Sequence, residues 1–306
     1  MLAITVQRED SQRCHPVAAS DLAALVRRIG DRGDTFLVVE RIPDLPDIYI
    51  QVLHRAGEGY ILEHRDGAPD RHFQARIEGP ESVIAAMTGW ARLNDDWDAG
   101  IAWELLDLGP VLAPVPALDL EDGERELLEA RIREVIAGGY ATRAELAELA
   151  EEYLVSPDRR PVSPAQARLL ADRLWLERVE EQALWAGETD PERVTLAFTA
   201  LEAAGITARE NFTCCRTCGQ TEIGAQAAPG ARGFVYFHHQ CTDAVAAGQG
   251  RALLYGGFDG SAETTAAIGR EVVAAIEATG LTVEWDGNPQ RAITVTPLDW
   301  QRRLTG

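Results

Sequence analysis

Ile206-Thr207-Ala208-Arg209-Glu210-Asn211-Phe212-Thr213-Cys214-Cys215-Arg216-Thr217-Cys218-Gly219 is the stretch on which the reading of this chain turns. Upstream, from 119 to 205, apolar residues recur at three and four spacing, the period of a helix. At Gly205 that period stops, and Ile206–Glu210 alternates like a strand. The cysteine run then leads into a second helical period over 214–226. Further strands are expected at Phe234–His238, Ala252–Tyr255, Leu281–Trp285 and Ala292–Val295, with helices at 243–248 and 261–279. Strands alternating with helices predict an α/β sheet domain over 206–306, its sheet at least partly parallel.

Upstream of this domain, the helical region 119–205 carries several start signals. Glu121–Ala137 and Thr142–Leu154 are helical by spacing. Ser163-Pro164 reads as N-cap and first-turn proline, and Thr189 or Asp190 with Pro191-Glu192 begins a fourth helix that Gly205 ends. Gly139–Tyr140 before Thr142-Arg143-Ala144-Glu145 resembles a helix–turn–helix joint, but the acidity of the region argues against DNA contact. Before it, residues 109–118 (with Gly109-Pro110-Val111-Leu112-Ala113-Pro114-Val115-Pro116) read as an extended, semi-rigid linker.

Residues 1–108 form the first module. Strands are expected near Leu2–Val6, Thr35–Glu40, Ile48–His54, Tyr60–His64 and His72–Ile77, one helix after Ser20 as N-cap, and another after Pro80. That pattern predicts an α+β module, an antiparallel sheet flanked by helices.

The chain has 306 residues and a net charge of −20, and all 29 of its basic residues are arginine. Without lysine there is no Schiff base, pyridoxal-phosphate anchor or P-loop lysine. Eleven arginines face 19 acids in residues 1–110, 11 face 21 in 111–210, and seven face nine in 211–306. The acidity of residues 1–210 makes nucleic acid and anionic membrane poor partners and would steer a basic protein. No membrane-spanning or signal segment is evident, so the cytoplasm is the expected compartment.

Five cysteines are present, four of them between 214 and 241. Cys215 and Cys218 form C-x-x-C, and His238 with Cys241 forms H-x-x-C; together they would complete a Cys3His site for zinc. A rival reading is thiol chemistry. With Thr213 as N-cap, Cys214 and Cys215 would lie in the first helical turn, where the dipole and Arg216 favour thiolate. His238 or His239 would serve as base, on opposite faces of a strand, with Asp243 or Glu222 as orienting acid. A third reading is packing alone. Weaker candidates are the Tyr255-Gly256-Gly257-Phe258-Asp259-Gly260-Ser261 loop for phosphate, Glu284 and Asp286 as paired acids, and His54, His64 and His72, read as surface positions of a strand ladder.

Two resemblances add to this. Ala208-Arg209-Glu210-Asn211-Phe212-Thr213-Cys214-Cys215, Thr217-Cys218-Gly219, Tyr236-Phe237-His238 and Val283-Glu284-Trp285-Asp286-Gly287 resemble a bacterial family defined as domain of unknown function 6891, over about 60% of the chain from residue 120. The resemblance implies no particular activity. The family pattern often has an acidic residue where this chain has Cys241, which makes Cys215, Cys218 and His238 the shared set. The first module is similar to immunity proteins of polymorphic bacterial toxins through Tyr49-Ile50-Gln51-Val52, Glu63-His64-Arg65-Asp66-Gly67, Arg71-His72 and Trp90, Trp97 and Trp103; this implies binding of a basic toxin. The leading expectation is therefore a non-catalytic, immunity-like interaction protein with a zinc-supported C-terminal domain. The alternative is a thiol enzyme, redox or hydrolytic, using Cys214 or Cys215 with His238.

Overall fold

Seven antiparallel strands build the first sheet of the computed structural model, which describes residues 1–14, 17–109, 114–246 and 250–304, without the side chains of 243–246. In chain order the first module holds β1 (Ile4–Arg8), β2 (Arg13–Cys14), α1 (Ala19–Arg28), β3 (Phe36–Arg41), β4 (Ile48–Leu53), β5 (Tyr60–Asp66), β6 (His72–Ile77), α2 (Pro80–Ala91) and β7 (Glu104–Leu105). The strands lie in the order β2-β1-β3-β4-β5-β6-β7. Alternation along each strand sends Ile4, Val6, Leu37, Val39, Ile50, Val52 and Leu62 to one buried face, where Leu22 and Val26 of α1 and Val83, Met87 and Trp90 of α2 cover them. The first helix starts earlier than its serine suggests. Ala18 is the N-cap, and the Asp21 carboxylate accepts from the Ala18 N–H at 3.3 Å, so Ser20 lies inside α1.

His64 and His72 are not surface ladder positions. His72 is 3% exposed, with Nε2 3.1 Å from Glu63 Oε2 and Nδ1 3.4 Å from the Tyr49 hydroxyl. His64 stacks on Phe73 and meets the edges of Trp97 and Trp103, ring centroids 4.9, 5.1 and 4.5 Å away. Burial among these rings lowers its pKa, against the smaller opposing pull of Asp66 and Asp98. A histidine whose folded pKa lies below its unfolded value binds more protons unfolded, so its contribution is complete above about pH 6.5 and is lost as pH falls through the folded value. The urea midpoint of the chain is expected to fall over that window, and His64→Phe is expected to remove part of the fall; an unchanged pH profile in the variant would refute this assignment.

Four helices follow: α3 (Asp122–Gly138), α4 (Arg143–Glu152), α5 (Pro164–Gln182) and α6 (Asp190–Ala203). The caps fall where the sequence signals them. Ser163 accepts from the Gln166 N–H while the Gln166 side chain accepts from the Ser163 N–H, and Pro164 occupies the first turn. Gly139 ends α3 with φ +78, a conformation glycine adopts without strain. Leu128, Ile132, Leu146, Leu170, Leu174 and Trp175 form the helical core. The fully buried Trp175 also reaches the first module, donating from Nε1 to the Asp44 carbonyl at 2.6 Å. Arg143 ties the same joint, 2.7 Å from both Asp44 and Asp172. The proline run expected as a linker falls partly on residues 110–113, outside the described residues.

The last third contains β8 (Ile206–Arg209), α7 (Arg216–Glu222), a short 3-10 turn (Ile223–Gln226), β9 (Gly233–Tyr236), α8 (His239–Ala246), β10 (Arg251–Gly257), α9 (Ala262–Ala278), β11 (Val283–Glu284) and β12 (Ile293–Val295). The sheet order is β11-β12-β10-β9-β8. Only the β8–β9 pair is parallel; β10 runs antiparallel to β9 and β12, so the sheet is mixed and the chain as a whole is α+β. Val235 and Phe237 join the core under α6 and α9, while Phe234 and Tyr236 point the other way, toward Ile223 and Leu254. Among the described residues, no helix is long and apolar enough to cross a membrane.

Candidate metal centre

The cysteine loop leaves β8 and enters α7 through strained backbone. Asn211 and Thr213 have φ of +47° and +59°, left-handed values that are costly for threonine because its branched Cβ crowds the backbone. The surroundings impose them. Phe212 N donates to the Phe237 carbonyl at 2.8 Å, and its ring packs 5.9 Å from Tyr236 in the cluster beneath α7. Thr213 O accepts from His239 N at 3.1 Å, and its hydroxyl donates to the Cys215 carbonyl at 3.2 Å. The helix therefore starts two residues later than the sequence suggests: Cys215, not Thr213, is its N-cap, and Cys214 precedes it.

This places three sulfurs together. The Sγ atoms of Cys214, Cys215 and Cys218 all lie within 4.8 Å of one another, with Cys214 and Cys218 3.4 Å apart. Among the described residues, it is the one group of three or more such donors that converges. Sulfurs around a tetrahedral zinc, each ~2.3 Å from the ion, are about 3.8 Å apart, so the cluster has the dimensions of a thiolate metal site. Cys214 is exposed and the other two are partly exposed, so the cluster lies at the surface.

The three thiols are electrostatically unequal. The Cys218 N–H, the Cys218 and Cys214 thiols and the Thr217 N–H hold the Cys215 thiol below its ordinary value. Cys218 is pushed up to about 11, first by Cys214 and then by Cys215. Tyr236 supports α7 from below: it is fully buried, donates to the Arg216 carbonyl at 3.1 Å, and burial raises it to about 12.

His238 and Cys241, expected to complete the Cys3His set, instead approach each other, with Nε2 and Sγ 3.5 Å apart, outside the converging group. His238 Nδ1 is buried, with no partner among the described residues. Burial raises the Cys241 pKa and lowers that of His238. The two histidines do not share a strand: His238 follows β9, and His239 is the first residue of α8. Asp243, the expected orienting acid, has its side chain outside the described residues. Cys214 was the converging donor that spacing alone did not indicate, because adjacent residues in a regular strand or helix point apart. The irregular backbone at 211–215 brings it in.

Among the weaker candidates, Asp259 and Asp286 hold their own loops. Asp259 turns back into its own loop, accepting from Thr264 Oγ1 at 2.7 Å and Ser261 N at 3.0 Å, so a carboxylate occupies the place a phosphate would need. Asp286 holds a turn through Asn288 N and Arg291, at 3.0 and 2.8 Å.

The model of a family described as a domain of unknown function, DUF6891, matches residues 121–304. No match is found among curated proteins or among solved structures. The first module lies outside the family match, and no comparison supports its likeness to immunity proteins.

Proposed function

The chain belongs to the DUF6891 family through residues 121–304, and on that footing we propose that its C-terminal domain is a zinc-binding module in which Cys214, Cys215 and Cys218 supply three thiolates. The convergence of the three sulfurs carries this reading. Softness favours it too, since three thiolates select zinc over oxygen-seeking calcium or magnesium. With three protein donors at an exposed position, the fourth place is taken by solvent or by a donor from a bound partner. The ion then pins the strained 211–215 loop and the start of α7, shaping a surface for interaction. The acidic charge of residues 1–210 favours a basic protein as the partner.

The position of Cys215 at the start of α7 favours a second reading, thiol–disulfide exchange. There Cys215 would attack a substrate disulfide, and Cys218 would resolve the mixed disulfide, leaving a Cys215–Cys218 bond and the substrate as two thiols. Elemental analysis of chain purified under reducing conditions without chelator separates the two. One zinc per chain, with Cys214, Cys215 and Cys218 protected from alkylation while it is bound and Cys215 the first to react once it is stripped, is the expected result. A metal-free chain in which Cys215 alone alkylates rapidly near neutral pH would replace the zinc reading with the second.

A further inference from the structure

Asn211 opens the left-handed stretch that leads to the cysteines, and its side chain is bonded outside that loop. Its Oδ1 accepts from the Thr242 hydroxyl of α8 at 2.8 Å, and Thr242 Oγ1 accepts from Arg251 Nη1 of β10 at 3.0 Å. Chemistry fixes the direction of this chain. A guanidinium only donates, so the threonine oxygen must accept from it, and the single hydroxyl proton is left for Asn211. That proton sets the Asn211 amide with its oxygen toward α8. The positive charge behind the hydroxyl makes it a stronger donor, and the low dielectric of the interior strengthens both links.

The far end of the chain is anchored. Arg251 is fully buried, its guanidinium carbon 4.0 Å from the ring centroid of Phe237 and 3.8 Å from that of Trp300. Trp300 is fixed in turn, donating from Nε1 to the Gly138 carbonyl at 3.2 Å. Thr242 is 4% exposed, and its methyl group packs on Gly138 of α3, where an added Cβ would stand 3.0 Å from it. With the methyl against α3, the hydroxyl is turned to Asn211. The same helix holds the loop a second time, through the bond from His239 N to Thr213 O. Asn211 and Thr213, the two left-handed residues of the loop, are thus the two that α8 grips.

We propose that Arg251, Thr242 and Asn211 are positioning residues of the cysteine cluster: their hydrogen-bond chain keeps the backbone turned at 211 and so gathers Cys214 with Cys215 and Cys218. Packing of Phe212 against Tyr236 turns the chain at this point, and the bonds to α8 keep it turned. None of the three touches the ion; each acts through the loop. The consequence for zinc affinity rests on the metal reading above, whereas the hold on the loop does not need an ion.

Thr242→Val and Thr242→Ser test the chain. Valine keeps the methyl group and loses the hydroxyl, and serine does the reverse. Two readouts are followed in the full chain: zinc affinity by chelator competition, and amide hydrogen exchange of the zinc-free chain at Phe212 and His239, relative to Val235 in the same sheet. Thr242→Val is expected to weaken zinc binding about tenfold, the lower end for loss of an outer-shell partner. It is also expected to speed relative exchange at Phe212 and His239 about tenfold, the cost of one hydrogen bond in a local opening. Thr242→Ser is expected to restore both to within about twofold of the unaltered chain, since it keeps the bond. Should Thr242→Val fail to fold, Asn211→Gly against Asn211→Asp makes the same comparison in the exchange readout from the other end. Glycine accepts left-handed backbone but offers no acceptor, and aspartate offers one. Exchange unchanged in Thr242→Val, or Thr242→Ser as damaging as Thr242→Val, would overturn the proposal. If the unaltered chain binds no zinc, the metal reading falls by itself and the exchange comparison still decides this one.

Discussion

Cys218→Ser is expected to weaken zinc binding at least about a hundredfold and to lower the stability of the C-terminal domain in the presence of zinc. Losing even an outer-shell partner of a metal ligand typically costs 10–100-fold in affinity, and a direct thiolate contributes more. Cys218 is the donor that comes from the helix, whereas Cys214 and Cys215 come from the irregular segment before it. Removing it leaves two adjacent cysteines on strained backbone with nothing across from them. Because a metal that binds only the folded chain stabilises it by mass action, the variant should also lose the rise in urea midpoint that added zinc gives the unaltered chain. Chelator competition measures the first effect and urea unfolding with and without zinc the second. Unaltered affinity in a folded Cys218→Ser chain would remove Cys218 from the ligand set.

The second large effect is expected from a single methyl group. In Gly219→Ala the new Cβ would stand 2.7 Å from Tyr236 Cζ and 2.8 Å from its hydroxyl oxygen, well inside contact distance. Tyr236 has little room to withdraw: it is fully buried, its ring packs against Phe212 and Phe234, and its hydroxyl is bonded to the Arg216 carbonyl. The helix must lift instead, carrying Cys218 away from Cys214 and Cys215. Overpacking of this kind costs about 1–3 kcal/mol. Alanine's better helix propensity offsets at most ~1 kcal/mol of that. The variant should unfold at lower urea with an unchanged slope and bind zinc more weakly. A Gly219→Ala chain more stable than the original would mean that α7 does not rest on Tyr236.

The contrast between what was readable and what was not follows from the range of the forces. Ser163 with Pro164, the helix start at Pro80, and the alternation of Ile48–His54 are local signals acting within a few residues, and the corresponding elements stand within a residue of where those signals put them. The mixed strand directions of the C-terminal sheet were less legible, since a helix between two strands allows either direction when the connection is long. The site was half legible. The C-x-x-C spacing marked Cys215 and Cys218, and their convergence follows from one helical turn. Cys214 joins them only because packing of Phe212 against Tyr236 forces left-handed backbone at Asn211 and Thr213, a tertiary constraint with no local signature. His238 and Cys241 had suitable spacing, yet the turn from β9 into α8 points them at each other. Arg251 was the least visible. An arginine beginning a strand reads as a solvated end, and only the return of Trp300 from near the C-terminus, across from Phe237, buries it.

Zinc content of Cys214→Ser and Cys241→Ser, purified side by side with the unaltered chain, tests the account most directly. The two residues were equally plausible ligands by type, and only the three-dimensional arrangement separates them. One zinc per chain in the original and in Cys241→Ser, with zinc lost from Cys214→Ser, is the predicted result. Zinc retained in Cys214→Ser and lost in Cys241→Ser, or no zinc in any of the three, would contradict it.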